Sequence, residues 1–206
     1  PNYIIGANYN GFAIFEKTAK GLEYRNQIIG FEKPSSYFEI DKSYLWLKKD
    51  GLIYKMNISD DLKKFNSIQT YPNLSNTFKG IGSIQTLNNT VYFQTNNHFY
   101  KYSQDQDLFY EDKKMSAIFK DLPKLYSLTQ DSVGNIWYLF KESLGVLSKK
   151  SSGEYKNIVA PFSNLTGNLV NNYISISSID PKNILIGLTD GLAHYDSHFS
   201  NNSSSK

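Results

Sequence analysis

Short runs crowded with aromatic and β-branched residues, broken by polar turn residues, recur along this chain. They read YIIGANYNGFAIFE (Tyr3 to Glu16), YLWLKKDGLIYKMN (Tyr44 to Asn57), VYFQTNNHFYKYS (Val91 to Ser103), NIWYLFKESLGVLSKK (Asn135 to Lys150) and NILIGLTDGLAHYD (Asn183 to Asp196). Each run predicts a β-hairpin, two strands joined by a tight turn. The expected turn pairs are Asn10-Gly11, Asp50-Gly51, Asn97-His98, Glu142-Ser143 and Asp190-Gly191. Three of the five are Asn-Gly or Asp-Gly, which tolerate the positive φ angles of a two-residue hairpin. The second strand of each hairpin then opens on a large apolar residue: Phe12, Leu52, Phe99, Leu144 or Leu192.

Taking Gly11, Gly51, His98, Ser143 and Gly191 as equivalent gives intervals of 40, 47, 45 and 48 residues. A period of that size containing only strand signals predicts four-stranded propeller blades, because helical repeats would show a 3.6-residue pattern. Alternating segments at Tyr37 to Ile40, Ile81 to Thr86, Leu125 to Thr129 and Tyr173 to Ile179 precede four of the hairpins and supply inner strands. The segments after the hairpins, GLEYRNQII, LKKFNSIQ, DLFYED and GEYKNIVA, are more polar, as suits outer-edge strands. Middle strands such as IWYLF are apolar throughout because neighbouring blades cover both faces. The first hairpin has no inner strand before it and the last has little room for an outer strand. Three blades are therefore complete and two partial, so the expected fold is all-β: a propeller fragment of about five blades, part of a larger propeller, over residues 1–196. The last residues, 197–206, read as a linker toward a following domain.

Two segments, DSVGNIWYLFKESLGVLSKK and NLTGNLVNNYISISSIDPKNILIGLTDGLAHYD, carry more specific information. They resemble the two-component regulator propeller repeat, in which Asp-x-x-Gly-Asn-Ile/Leu-Trp-Ile-Gly-Thr is followed by Gly-Leu and an aromatic-Asp pair. Asp131, Gly134, Asn135, Ile136 and Trp137 match in the fourth copy. Asp180, Asn183, Ile184, Ile186, Gly187, Gly191, Leu192, Tyr195 and Asp196 match in the fifth, where Leu185 stands in place of the tryptophan. The second copy is similar through Leu45-Trp46-Leu47 and Asp50-Gly51-Leu52, while the first and third match in outline. The resemblance implies the sensory, periplasmic part of a bacterial regulator, especially a hybrid sensor histidine kinase of Bacteroidetes. It also implies an oligosaccharide signal, self-association through the full-length protein, and any kinase activity outside this segment. The alternative is a non-catalytic interaction or dimerisation propeller in a cytoplasmic transcriptional regulator.

Composition narrows the chemistry. The 206 residues are 40% hydrophobic and include 16 Tyr and 13 Phe, enough for a substantial core. Lys and Arg number 22 against 19 Asp and Glu, a net charge of +3 with the basic residues scattered, which gives nucleic acid no patch to bind. Without cysteine there is neither a disulfide framework nor a thiolate nucleophile. No run reaches the roughly 18 apolar residues of a spanning helix, so no membrane contact is expected of this segment.

The candidates for chemistry are few. His194 and His198 have the spacing of a helical zinc pair but lie in a predicted strand, where residues four apart are about 13 Å from each other. His98 is a turn residue, and no metal, cofactor or catalytic group is expected. Asp131 is expected to accept backbone N–H groups in the turn formed by Gly134-Asn135, and Trp137 to pack between blades. A ligand site, if this segment holds one, belongs to the hairpin turns: Tyr9, Asn10, Lys48, Lys49, Asp50, Asn96, Asn97, Lys141, Glu142 and Asp190. Aromatic faces beside Asn, Asp and Lys suit carbohydrate hydroxyls, although turn chemistry alone accounts for the Asn and Asp residues.

Overall fold

Strand alternation and glycine- or asparagine-bearing turns produce five antiparallel sheets in the computed structural model, which describes residues 2–72, 82–125, 127–170, 175–178, 180 and 183–196. The chain falls into two compact units. The first comprises Pro1–Thr86, Thr90–Thr95 and Phe99–Asp112, and the second Leu87–Asn89, Asn96–His98 and Lys113–Lys206.

In the first unit, β1 (Tyr3–Asn8), β2 (Gly11–Thr18) and β3 (Gly21–Ile28) form a three-stranded sheet. A four-stranded sheet follows: β4 (Phe38–Asp41), β5 (Tyr44–Lys49), β6 (Leu52–Ile58) and β7 (Phe65–Pro72). The next, also four-stranded, is β8 (Ser83–Leu87), β9 (Thr90–Thr95), β10 (His98–Ser103) and β11 (Leu108–Glu111). Residues pointing to opposite faces of a strand enter different cores. Leu45 and Leu47 join Phe12, Ile14 and Ile28 in the core between the first and second sheets. Trp46, between them in sequence, packs with Ile53, Val91, Phe93 and Tyr100 in the core between the second and third. A middle strand with an apolar residue on each face is the result.

The second unit opens on a short helix, α1 (Lys113–Phe119), which buries Met115 and Phe119 one turn apart. Then come β12 (Ser127–Gln130), β13 (Ile136–Phe140), β14 (Ser143–Lys149) and β15 (Tyr155–Ile158) as a four-stranded sheet. A 3₁₀ turn at Ala160–Leu165 leads to the three-stranded sheet of β16 (Ile176–Ser178), β17 (Asn183–Gly187) and β18 (Leu192–Asp196). Trp137, Leu139, Leu144 and Val146 face Ile184 and Ile186 across this core, which Phe162 from the 3₁₀ turn completes. Helical content is thus added to an all-β plan at two connections between sheets.

The hairpin turns differ in detail from the expected pairs. Asp50 and Gly51 have φ of 51° and 72°, as a mirror-image turn requires. In the first, third and fourth hairpins the turn lies one residue earlier, at Tyr9-Asn10, Asn96-Asn97 and Lys141-Glu142, with Asn96 (φ 52°) and Lys141 (φ 53°) taking the left-handed conformation. The last hairpin has a longer connection, Leu188 to Gly191, closed by the Leu188 N–H on the Gly191 carbonyl at 2.9 Å. Leu192 is 70% exposed there, whereas Phe12, Phe99 and Leu144 are buried. The wider loop leaves Leu192 opposite Gly187, a partner with no side chain to pack against it.

Candidate functional site

The hairpin turns are held in place by local hydrogen bonds. At the first, the Asn8 side chain accepts from the Asn10 N–H at 2.7 Å, and Gln27 Nε2 donates to the Asn10 carbonyl. The connection from the first sheet to the second crosses the turn, with the Ser35 N–H on the Asn8 carbonyl at 2.9 Å. Tyr9 projects from this turn 86% exposed. At the second turn, Lys48 Nζ donates to the Gly82 carbonyl at 3.0 Å, and Lys49 lies 3.7 Å from the Asp50 carboxylate.

In the second unit the Asn97 amide donates to the carbonyls of Phe119 (3.0 Å) and Leu122 (2.6 Å). Asn97 therefore clamps its turn to the end of α1, with its Oδ1 buried and unpartnered. Lys141, Glu142 and Asp190 are exposed on their turns. The turn residues Tyr9, Asn10, Lys48, Lys49 and Asp50 thus belong to the first unit, and Asn96, Asn97, Lys141, Glu142 and Asp190 to the second.

The Asp131 turn is heavily bonded. One carboxylate oxygen accepts from the Val133 N–H (3.1 Å) and the Asn135 N–H (2.9 Å); the other accepts from Asn135 Nδ2 (2.8 Å) and Trp137 Nε1 (3.1 Å). Asn135 Oδ1 in turn accepts from the Lys149 N–H at 2.9 Å, tying β14 into the knot. In the fifth sheet Asp180 accepts from the backbone and side-chain nitrogens of Asn183, and Asn183 Oδ1 lies 2.9 Å from His194 Nε2. His194 is thereby placed on a strand as a partner of Asn183. The residues 197–206, His198 among them, lie outside the described residues. Among the described residues no group of three or more His, Asp or Glu side chains could hold a metal ion.

A polar cluster on the inner strands escaped the sequence reading. The Thr86 hydroxyl on β8 donates to Glu39 Oε2 on β4 at 2.7 Å. Burial pushes the Glu39 carboxyl above its ordinary range, against the lowering effect of Thr86. Also from β8, Ser83 (2.9 Å) and the buried Gln85 (3.1 Å) both donate to Gln94 Oε1 on β9. Thr86 lies 47 positions after Glu39, about one repeat period, so equivalence between inner strands was the available signal.

No known family model matches the chain, and no curated protein matches it. Solved structures do. The extracellular domain assigned to a hybrid two-component system of B. thetaiotaomicron, BT3049, is 13% identical with a TM-score of 0.54, over 99% of this chain and 27% of that one. A Lactobacillus plantarum protein is 14% identical with a TM-score of 0.52, over 95% of this chain and 64% of that one. The periplasmic gluconolactonase of Pseudomonas aeruginosa is 10% identical with a TM-score of 0.50, over 94% and 64%. This chain therefore spans about a quarter of the first of these proteins and less than two thirds of the other two. With its succession of antiparallel sheets, its fold is an all-β propeller, shared with that extracellular domain.

Proposed function

We propose that this chain is a propeller segment of the sensory, periplasmic part of a two-component regulator, a member of the two-component regulator propeller family, and responds to an oligosaccharide. The observation that carries the reading is the alignment of 99% of the chain with the extracellular domain from B. thetaiotaomicron. The Asp131 knot adds to it, since the residues carrying the repeat motif are those bonded together. Fold alone does not choose a function, as the gluconolactonase illustrates. Ligand contacts are assigned to the turn residues Tyr9, Asn10, Lys48, Lys49 and Asp50, and to Asn96, Lys141, Glu142 and Asp190. Asn97 serves its turn through the two carbonyls it already holds.

The test is thermal-shift screening of the complete periplasmic part of the protein against a panel of oligosaccharides. A saturable rise in melting temperature with one glycan class, lost in Tyr9→Ala without a change in the unliganded melting point, is the expected result. A flat response to every glycan would favour the second reading, an interaction or dimerisation propeller. That reading draws on the exposed Ile4, Leu22 and Tyr24 of the first sheet.

A further inference from the structure

Lys55, on β6, is only 4% exposed, an unusual place for an ammonium group. Its Nζ lies 4.4 Å from the ring centroid of Tyr44, 4.3 Å from that of Tyr102 and 5.9 Å from that of Trp46. It donates to the Tyr102 hydroxyl at 3.0 Å. The hydroxyls of Tyr102 and Tyr71 lie 3.1 Å apart, and both donate to Asp107. These two hydrogen bonds, followed by the charge of Lys55, hold the Asp107 carboxyl below its ordinary range.

The walls stand on supports of their own. Trp46 is packed edge-on by Phe93 and Tyr102, each at 4.9 Å. Gln104 Nε2 holds the Tyr44 hydroxyl at 2.8 Å, and Asp107 reaches the cluster from a left-handed turn position, φ 48°. Three ring faces attract a cation through their quadrupoles, and an ionised carboxylate one hydroxyl away supplies the opposite charge. An uncharged group of the same size would gain neither.

We propose that Tyr44, Trp46, Tyr102 and Asp107 form a binding site selective for a primary alkylammonium group, and that Lys55 supplies that group from within the chain. The site is independent of any glycan contact at the turns.

Truncating Lys55→Ala removes three methylenes and the ammonium, so n-propylammonium chloride is the probe. Melting temperature is measured against two controls, propan-1-ol and sodium chloride at equal ionic strength. The variant melts below the wild type, and n-propylammonium raises its melting point saturably by about 2–4 °C. Wild type does not respond, because Lys55 occupies the site. Adding Asp107→Asn to Lys55→Ala abolishes the response, and Lys55→Met, which keeps the apolar stem, also melts below wild type. An equal response to propan-1-ol would reveal a plain apolar void and overturn the proposal. So would a folded Lys55→Ala indifferent to the probe, or a Lys55→Met as stable as wild type. Should Lys55→Ala fail to fold, its refolding yield with n-propylammonium against propan-1-ol decides the same question.

Discussion

Gly11 opens β2 at φ 102°, and a Cβ built there would stand 2.0 Å from the Phe31 carbonyl oxygen. Gly51 also has positive φ, yet a Cβ there meets nothing within 4 Å. Gly11→Ala is therefore expected to cost at least about 2 kcal/mol, from strain plus displaced backbone, and Gly51→Ala about 1 kcal/mol from strain alone. Urea denaturation of the two variants checks the order; equal losses would mean that the connection at Phe31 yields freely. At Asp131 the same measurement reads hydrogen bonding. Asp131→Ala leaves four donors without their acceptor and should cost about 2–3 kcal/mol, with a smaller loss for Asp131→Asn, which keeps one acceptor. The Asp131 turn was legible in the sequence because all its partners lie within six positions. Lys55 was not. Its hydroxyl partner is 47 positions away, and nothing in the local pattern YKMN separates a caged lysine from a solvated one.

Elements were legible where the pattern of burial was. Leu45-Trp46-Leu47 and Ile136-Trp137-Tyr138-Leu139 read as unbroken apolar runs, and every one of these residues is buried; in the first run Leu45 and Leu47 feed one core and Trp46 another. Trp137 packs edge-on to Phe162 at 5.4 Å and Tyr195 at 6.0 Å while its Nε1 reaches Asp131. Trp137→Ala should accordingly cost about 3–5 kcal/mol. Trp137→Phe keeps part of the packing but loses the Nε1 hydrogen bond and leaves a small void, so a smaller loss of about 1–3 kcal/mol is expected. Chemical denaturation compares the two variants, and similar losses would assign most of the energy to the part of the indole that Phe lacks, its second ring and Nε1. The short helix α1 and the 3₁₀ turn at Ala160–Leu165 were missed for a physical reason. Helical periodicity declares itself over windows of about 11–18 residues, and a seven-residue helix offers a single Met115–Phe119 pair. The exposed first residue of β18 was missed because the Asp-Gly pair looked like a two-residue turn and is the end of a longer loop.

At the scale of the whole molecule, stability sums over both units, and its dependence on pH exposes groups that no local pattern marks. Glu39 is the clearest. Its folded carboxyl titrates above 4.5, the value of the free side chain, mainly because burial disfavours the charge. Between 4.5 and its raised folded value, the folded protein holds a proton that the unfolded chain releases, so raising the pH through this window favours unfolding. Asp107 has the opposite sign. Its folded value lies below 3.8, so the stability it contributes is present above 3.8 and lost as pH falls through the lowered value. Urea midpoints of wild type and Glu39→Gln, measured from pH 4 to pH 8, should therefore diverge as pH rises above 4.5. The variant should gain relative to wild type, because the amide can still accept from Thr86 and carries no charge to desolvate. For Asp107→Asn, with the midpoints followed from pH 5 down to pH 2, the gap to wild type should instead close as pH falls below 3.8. Parallel curves for wild type and Glu39→Gln would show that water reaches the carboxylate on β4. In that case the Glu39–Thr86 contact is a solvated bridge between two inner strands, and Glu39 adds nothing to the dependence of stability on pH.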